Sequence, residues 1–306
     1  MRFLCIGVNE CADDVVDHIT NELQQLKSDN INYSIDIVNS DGSTSIICSI
    51  NGDESLSDEN TQVYEELTVH VSNALADYII GQYEDRLVSR IVNSNYCYFN
   101  SVEKREIRNI ALGIIRNDDQ NFLNSLFTIR RRNVIVQKLL DYFESSNSMI
   151  LDGFVNFRLK EYMKDLEEIV DKAVDEFLME REYKEFIRLL KYFVEIQDPK
   201  FNVIHVIVGY DNKYILLDEN RMEITNECIQ EFINEISEGE INYDDLLVSS
   251  LITLAPRKVV IHSMGQFKNK ELLDTIKNVF SGRFSICTGC EICMLNMVKS
   301  ETPKSF

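Results

Sequence analysis

Apolar and polar positions follow two rhythms along this chain, and the points where the rhythm changes mark its organisation. Phe3–Val8 is an apolar run of strand length. Asp13–Leu26 then places Val16, Ile19, Leu23 and Leu26 on one helical face. Tyr33–Ile37 and Ile46–Ile50 alternate polar and apolar residues, and Asn39-Ser-Asp-Gly42 between them has turn chemistry. Residues 1–57 are therefore expected to form a small β-α-β-β unit.

From residue 58 to 195 the period becomes that of a helix. Tyr64, Leu67, Val71, Leu75, Ile79, Leu87 and Ile91 trace a long or once-broken helix, with Gly81 as the candidate break. Ile107, Ala111 and Ile114 mark another helix, and Phe122–Phe143 a third. Leu159, Tyr162, Leu166, Ile169, Ala173 and Phe177 give the longest pattern, with Lys160, Glu161, Lys164, Glu168 and Lys172 on its solvated face. Tyr183, Phe186 and Leu190 predict a last helix that ends at Asp198-Pro199.

After Pro199 alternation returns. Phe201–Gly209 and Lys213–Leu217 predict a hairpin around Tyr210-Asp-Asn212, followed by helices at Asn226–Ile236 and Tyr243–Leu254. Lys258–His262 reads as a buried strand, Lys270–Phe280 as a helix stopped by Ser281-Gly282, and Arg283–Ile286 as a final strand. The order ββααβαβ, with helix-linked strands at its end, predicts a mixed sheet with parallel pairs. The fold class expected is α+β, in regions 1–57, 58–195 and 196–306. Whether the two β regions share one sheet is left open by the pattern.

At 306 residues and 44% hydrophobic, the chain can bury one or two sizeable cores. Its formal charge of −20 argues against anionic membranes and unselective nucleic-acid binding. Uncharged runs such as Leu246–Ala255 fall short of the ~20 apolar residues a membrane span needs. The apolar start turns acidic at Glu10, Asp13 and Asp14, unlike an export signal. These features lead to the expectation of a cytoplasmic protein whose eight cysteines are reduced thiols. Cys5, Cys11, Cys48, Cys97 and Cys228 are scattered and read as small hydrophobes.

Among the four histidines, His205 lies inside the apolar strand Val203–Val208 and reads as a sheet-face imidazole. His262 is better placed for chemistry, at the carboxyl end of a strand. His18 and His70 fall in helical segments. Asp218, Glu219 and Glu223 gather just past a strand, where acids can bind Mg²⁺, but a cluster of this kind is expected by chance in a chain with 51 acidic residues. Residues 101–140 reverse the charge, with eight basic side chains, including Arg130, Arg131 and Arg132, against four acidic ones. Three consecutive arginines on a helix point in three directions. Docking onto an acidic surface of this or another protein is favoured there over nucleic-acid binding.

One cluster carries sharper chemistry: Cys287-Thr-Gly-Cys290-Glu-Ile-Cys293. Thiolates at this spacing can converge on one metal because the intervening turn brings the sulfurs to one side. The run resembles the start of a ferredoxin cluster loop, but Met297 stands where a fourth cysteine would fall. The reading preferred on the sequence is three reduced thiols on a terminal strand and turn, with no certain cofactor. The alternative is a zinc or iron–sulfur site on Cys287, Cys290 and Cys293, with His262, Cys228 or a residue of another chain as fourth ligand.

Gly153-Phe-Val-Asn-Phe-Arg-Leu-Lys-Glu-Tyr162, Glu167–Glu176, Glu182-Tyr-Lys-Glu-Phe186, Tyr192–Pro199 and Asp244–Lys258 together resemble the YtxC-like family of sporulation proteins. The resemblance is carried by the C-terminal half. It implies a cytosolic protein of endospore-forming bacteria and brings no reaction, cofactor or catalytic residue. With no enzyme motif in view, action through a protein partner is the function expected. A metal-binding redox or sensing role is the alternative, and nucleic-acid binding through residues 101–140 a weaker one.

Overall fold

The computed structural model describes residues 3–9, 11–28, 33–40, 43–50, 58–117, 122–208, 213–224, 242–262, 267 and 269–294. The chain divides into two compact units, Met1–Met179 and Glu180–Phe306. Each has its own four-stranded sheet, so the two β regions do not share one.

In the first unit, β1 (Phe3–Val8) alternates exposed and buried positions and sends Leu4, Ile6 and Val8 into the core. It pairs antiparallel with β3 (Ser43–Ile50), which pairs antiparallel with β2 (Tyr33–Ser40). The expected turn at 39–42 lies partly outside the described residues. Helix α1 (Ala12–Ser28) buries Val15, Ile19 and Leu23, so Val15 and not Val16 heads its apolar face. A strand absent from the sequence reading completes the sheet: β4 (Ser148–Ile150) pairs parallel with β1, giving the order β2-β3-β1-β4.

Helices fill the rest of this unit. Residues 58–95 stay helical throughout, as α2 (Asp58–Tyr78), a π-helical turn at Ile79–Tyr83 and α3 (Glu84–Asn95). Gly81 thus sits in a widened turn and does not break the helix. That turn re-phases α3, so that Glu84 falls inside along with Leu87, Val88 and Ile91. Next come α4 (Ser101–Asn117), α5 (Phe122–Ser145) and α6 (Leu151–Arg158). Helix α7 runs unbroken from Lys160 to Ile196, so the two helices expected there are one. Its early positions Tyr162, Leu166, Val170 and Phe177 join the first core, while Ile187, Leu190 and Val194 pack on the second.

The second unit bears the order read from the sequence. β5 (Val203–Val208) and β6 (Tyr214–Leu217) are antiparallel, and β5 is parallel to β7 (Lys258–His262), which is parallel to β8 (Phe284–Ile286). The helix expected at Asn226–Ile236 and the turn at 210–212 lie outside the described residues. Helix α8 (Tyr243–Leu254) is capped by the Asn242 side chain and α9 (Lys270–Val279) by that of Asn269. After α9, Gly282 takes φ +80°, the left-handed conformation that ends a helix at little cost. Leu247, Leu251, Leu273 and Ile276 cover one sheet face, meeting Ile204, Val206, Val259 and Ile261. The alternate residues of β5 and β7, His205 and His262 among them, therefore lie on the other face. Among the described residues, no helix is long and apolar enough to cross a membrane.

Part of the basic charge of residues 101–140 is paired within the chain. Arg132 grips Asp77 with two hydrogen bonds, 2.6 and 3.0 Å, and Arg108 donates to Asp85 at 2.7 Å. Arg130 is exposed, Arg131 buried and Arg132 half-buried, three directions from three consecutive positions.

Candidate metal centre

The site lies at the carboxyl ends of two neighbouring parallel strands. The register sets Ile261 opposite Ile286, and the Cys287 N–H extends the ladder by donating to the Ile261 carbonyl at 2.9 Å. His262 and Cys287 thus leave adjacent strands side by side. The chain then turns at Gly289, whose φ of +131° would strain any side-chain-bearing residue. Residues 291–294 form a helical turn in which the Met294 N–H donates to the Cys290 carbonyl at 3.0 Å. That turn carries Cys290 and Cys293 back over His262.

One possible ligand atom from each of His262, Cys287, Cys290 and Cys293 lies within 4.8 Å of the other three. Cys293 Sγ is 3.8 Å from both Cys290 Sγ and Cys287 Sγ. His262 Nδ1 is 3.4 Å from Cys290 Sγ and 3.5 Å from Cys293 Sγ. His262 and Cys293 are buried, Cys287 and Cys290 half-buried. The three cysteines and one of their expected partners, His262, are brought together. The other, Cys228, lies outside the described residues.

His205 is the residue whose place the sequence did not reveal. Its Nδ1 is 2.9 Å from His262 Nε2, the nitrogen turned away from the sulfurs. Pairing sets His205 opposite Val260 and Ile207 opposite His262, a diagonal contact on one sheet face. Burial lowers the pKa of His262, helped by His205 and Arg221, and lowers that of His205, helped by Arg221 and Lys258. Both rings are thereby held in the neutral form that metal ligation requires. At Cys287 the backbone hydrogen bond of Gly289 draws the thiol down, but burial and the two neighbouring thiols outweigh it and the net shift is upward. Arg221, in a left-handed conformation at φ +64°, reaches Glu291 at 3.6 Å, next to Cys290.

The other candidates fall elsewhere. The Asp218 carboxylate accepts the N–H groups of Asn220 and Met222, both at 2.8 Å, and so shapes its own turn. Among the described residues, Asp218, Glu219 and Glu223 do not converge as a metal-binding group. His70 pairs with Glu22 at 3.2 Å, and His18 stands edge-on to Tyr78. Of the scattered cysteines, Cys48 is buried, with its thiol pushed up to about 12 by burial and by Cys5. Cys5 is half-buried, while Cys11 and Cys97 are exposed, unlike the small hydrophobes expected.

The YtxC-like family model matches residues 69–285. His205 and His262 lie inside that span, and the three cysteines begin two residues beyond it. The chain is also similar to the uncharacterised protein YtxC of Bacillus subtilis (strain 168), 24% identical over 209 residues, covering 68% of this chain and 73% of that protein. No solved structure matches. With the family model spanning well over half of its length, the chain belongs to the YtxC-like family.

Proposed function

We propose that residues 180–306 hold one structural zinc ion through His262 Nδ1 and the sulfurs of Cys287, Cys290 and Cys293. The carrying observation is the spacing of these atoms. A tetrahedral ion with bonds of ~2.3 Å to sulfur and ~2.0–2.1 Å to nitrogen keeps two sulfurs about 3.8 Å apart and a sulfur about 3.5 Å from the nitrogen. Four of the six separations are 3.8 and 3.8 Å between sulfurs and 3.4 and 3.5 Å from sulfur to nitrogen, and all six are within 4.8 Å. A disulfide needs ~2.05 Å, so these sulfurs are unbonded thiols. A cubane cluster puts each cysteine on a different iron, with the cluster between the sulfurs, whereas a Cys293 sulfur 3.8 Å from both others fits a single ion. Mixed thiolate and imidazole ligands in tetrahedral array suit zinc. Four protein ligands leave no open position for water or substrate, which favours a structural role over hydrolysis. Metal entry would release the three thiol protons and draw the 287–294 loop onto sheet β6-β5-β7-β8.

Anaerobically purified protein should contain about one zinc per chain and almost no iron. Replacing Cys287, Cys290 and Cys293 together by serine should abolish it. Zinc and iron both far below one per chain, and unchanged in the triple variant, would remove the proposal.

A second reading, action through protein contacts in sporulating cells, has its own support. Phe186, Leu189, Phe193 and Ile196 recur at the 3-4 spacing of a helix–helix seam and are 51, 55, 47 and 58% exposed. Charges beside them are mixed in sign: Arg181, Lys184, Arg188 and Lys191 against Glu182, Glu185 and Glu195. In a chain of formal charge −20, this near-neutral stretch repels a second copy less than an acidic surface would. A second copy of α7 is the occupant proposed. Sedimentation should show a concentration-dependent dimer that Phe186→Glu with Phe193→Glu converts to monomer, and a wild-type chain monomeric at all concentrations would count against it.

A further inference from the structure

A neutral imidazole carries one N–H, and which nitrogen bears it decides whether the ring can ligate. His262 turns Nδ1 towards Cys290 and Cys293, at 3.4 and 3.5 Å, and Nε2 towards His205 Nδ1, at 2.9 Å. The two rings face each other at 5.1 Å between centroids and 50° between planes. Only two neutral arrangements satisfy the contact. In one, His262 Nε2–H donates to His205 Nδ1, which leaves a lone pair on His262 Nδ1 aimed at the three sulfurs. In the other, His205 Nδ1–H donates, and the proton of His262 sits on Nδ1, where it blocks ligation.

We infer that His205 is a positioning residue, the acceptor that fixes His262 in the ligating tautomer and in its rotation; this rests on the zinc proposal. Its own proton then resides on Nε2. Strand geometry makes the arrangement dependable. Both histidines project from the same face of adjacent parallel strands, offset by one diagonal step, and five paired positions fix the β5–β7 register. A ligating histidine that hands its second N–H to a fixed acceptor is held in orientation and made a better donor to metal. β5 thus takes part in the metal centre without supplying a ligand.

The test uses the full chain with zinc as the probe, in wild type, His205→Leu and His205→Gln. Competition against a chromophoric chelator should show zinc held ~10–100-fold less tightly by His205→Leu, the range for loss of such a partner. His205→Gln, whose amide carbonyl can accept, should recover part of that loss. ¹⁵N spectra of the wild type should place the His262 proton on Nε2, a signature that a merely packing role would not require. Wild-type affinity in His205→Leu, or a proton on His262 Nδ1, would overturn the inference. A wild-type chain that takes no zinc would remove the metal proposal instead. The His262 tautomer in that protein would still decide the role of His205, as it would if both variants failed to fold.

Discussion

Removing zinc from the intact protein should loosen the second unit selectively and by a large margin. The segment that would carry three of the four ligands has little else to hold it. β8 is three residues long and lies at the sheet edge, while Ile286 and Met294 are 44% and 66% exposed. Its described backbone ties to β7 include Val259 N–H to the Arg283 carbonyl at 2.8 Å and Cys287 N–H to the Ile261 carbonyl at 2.9 Å. A ligand that binds only the folded state adds ~4 kcal/mol when present at a thousand times its dissociation constant. For a unit of this size that corresponds to roughly 10–20 °C in melting temperature. A strong chelator should therefore lower one thermal transition by about that amount. Hydrogen exchange should show protection lost at Lys258–His262 and Phe284–Ile286 and kept at Phe3–Val8 and Ser43–Ile50. Cys293→Ser should reproduce the chelated state and make the chelator inert. An unchanged melt with chelator, in protein shown to contain zinc, would mean that the ion does not support the fold.

Most of the elements around this site are legible in the sequence because periodicity is a local property. Lys258–His262 is a short apolar run between turns, and Tyr243–Leu254 and Lys270–Val279 carry helical spacing with asparagine caps. The cysteines announce themselves by spacing alone. The proposed fourth ligand does not: the choice between His262 and Cys228 depends on which strand lies beside β8, and the parallel β7–β8 pairing puts His262 next to Cys287. His205 is harder still. Inside Val203–Val208 its sequence neighbours are all apolar, so the local pattern reads as a sheet face. Its significance appears only once the register with β7 is known, because that offset brings two imidazoles within hydrogen-bond distance. A histidine of the right parity on each of two neighbouring strands was the available signal, and it requires the pairing as input.

The first unit shows the same limit. Ser148–Ile150 is too short to display a two-residue period, and it becomes a strand only because the edge of β1 offers it a parallel partner. The widened turn at Ile79–Tyr83 is likewise invisible in the apolar spacing, which reads there as a long helix or one broken at Gly81. Its consequence is a buried charge.

Glu84 opens α3 inside the core at 7% exposure, beside Tyr162 at 0% and Arg131 at 5%. The Tyr162 hydroxyl donates to Glu84 Oε1 at 2.8 Å, and Arg131 Nε stands 3.8 Å from the same oxygen. Burial and the Glu84 carboxylate hold the tyrosine far above its usual pKa, so it stays a donor. Tyr162→Phe takes a hydrogen bond from a buried carboxylate and should cost ~1.5–3 kcal/mol. Glu84→Met leaves the buried guanidinium without that carboxylate and should cost ~3–5 kcal/mol. Changing Glu84 and Arg131 to methionine together removes both charges while keeping volume near Tyr162. The double variant should then recover part of the Glu84→Met loss, because no charge remains buried, while the Tyr162 hydroxyl still lacks its carboxylate acceptor. Arg131→Met completes the cycle, and urea unfolding followed by circular dichroism gives all four values. If the double variant loses as much as the two single changes added together, Glu84 and Arg131 are not energetically coupled. The trio would then owe its place to packing alone.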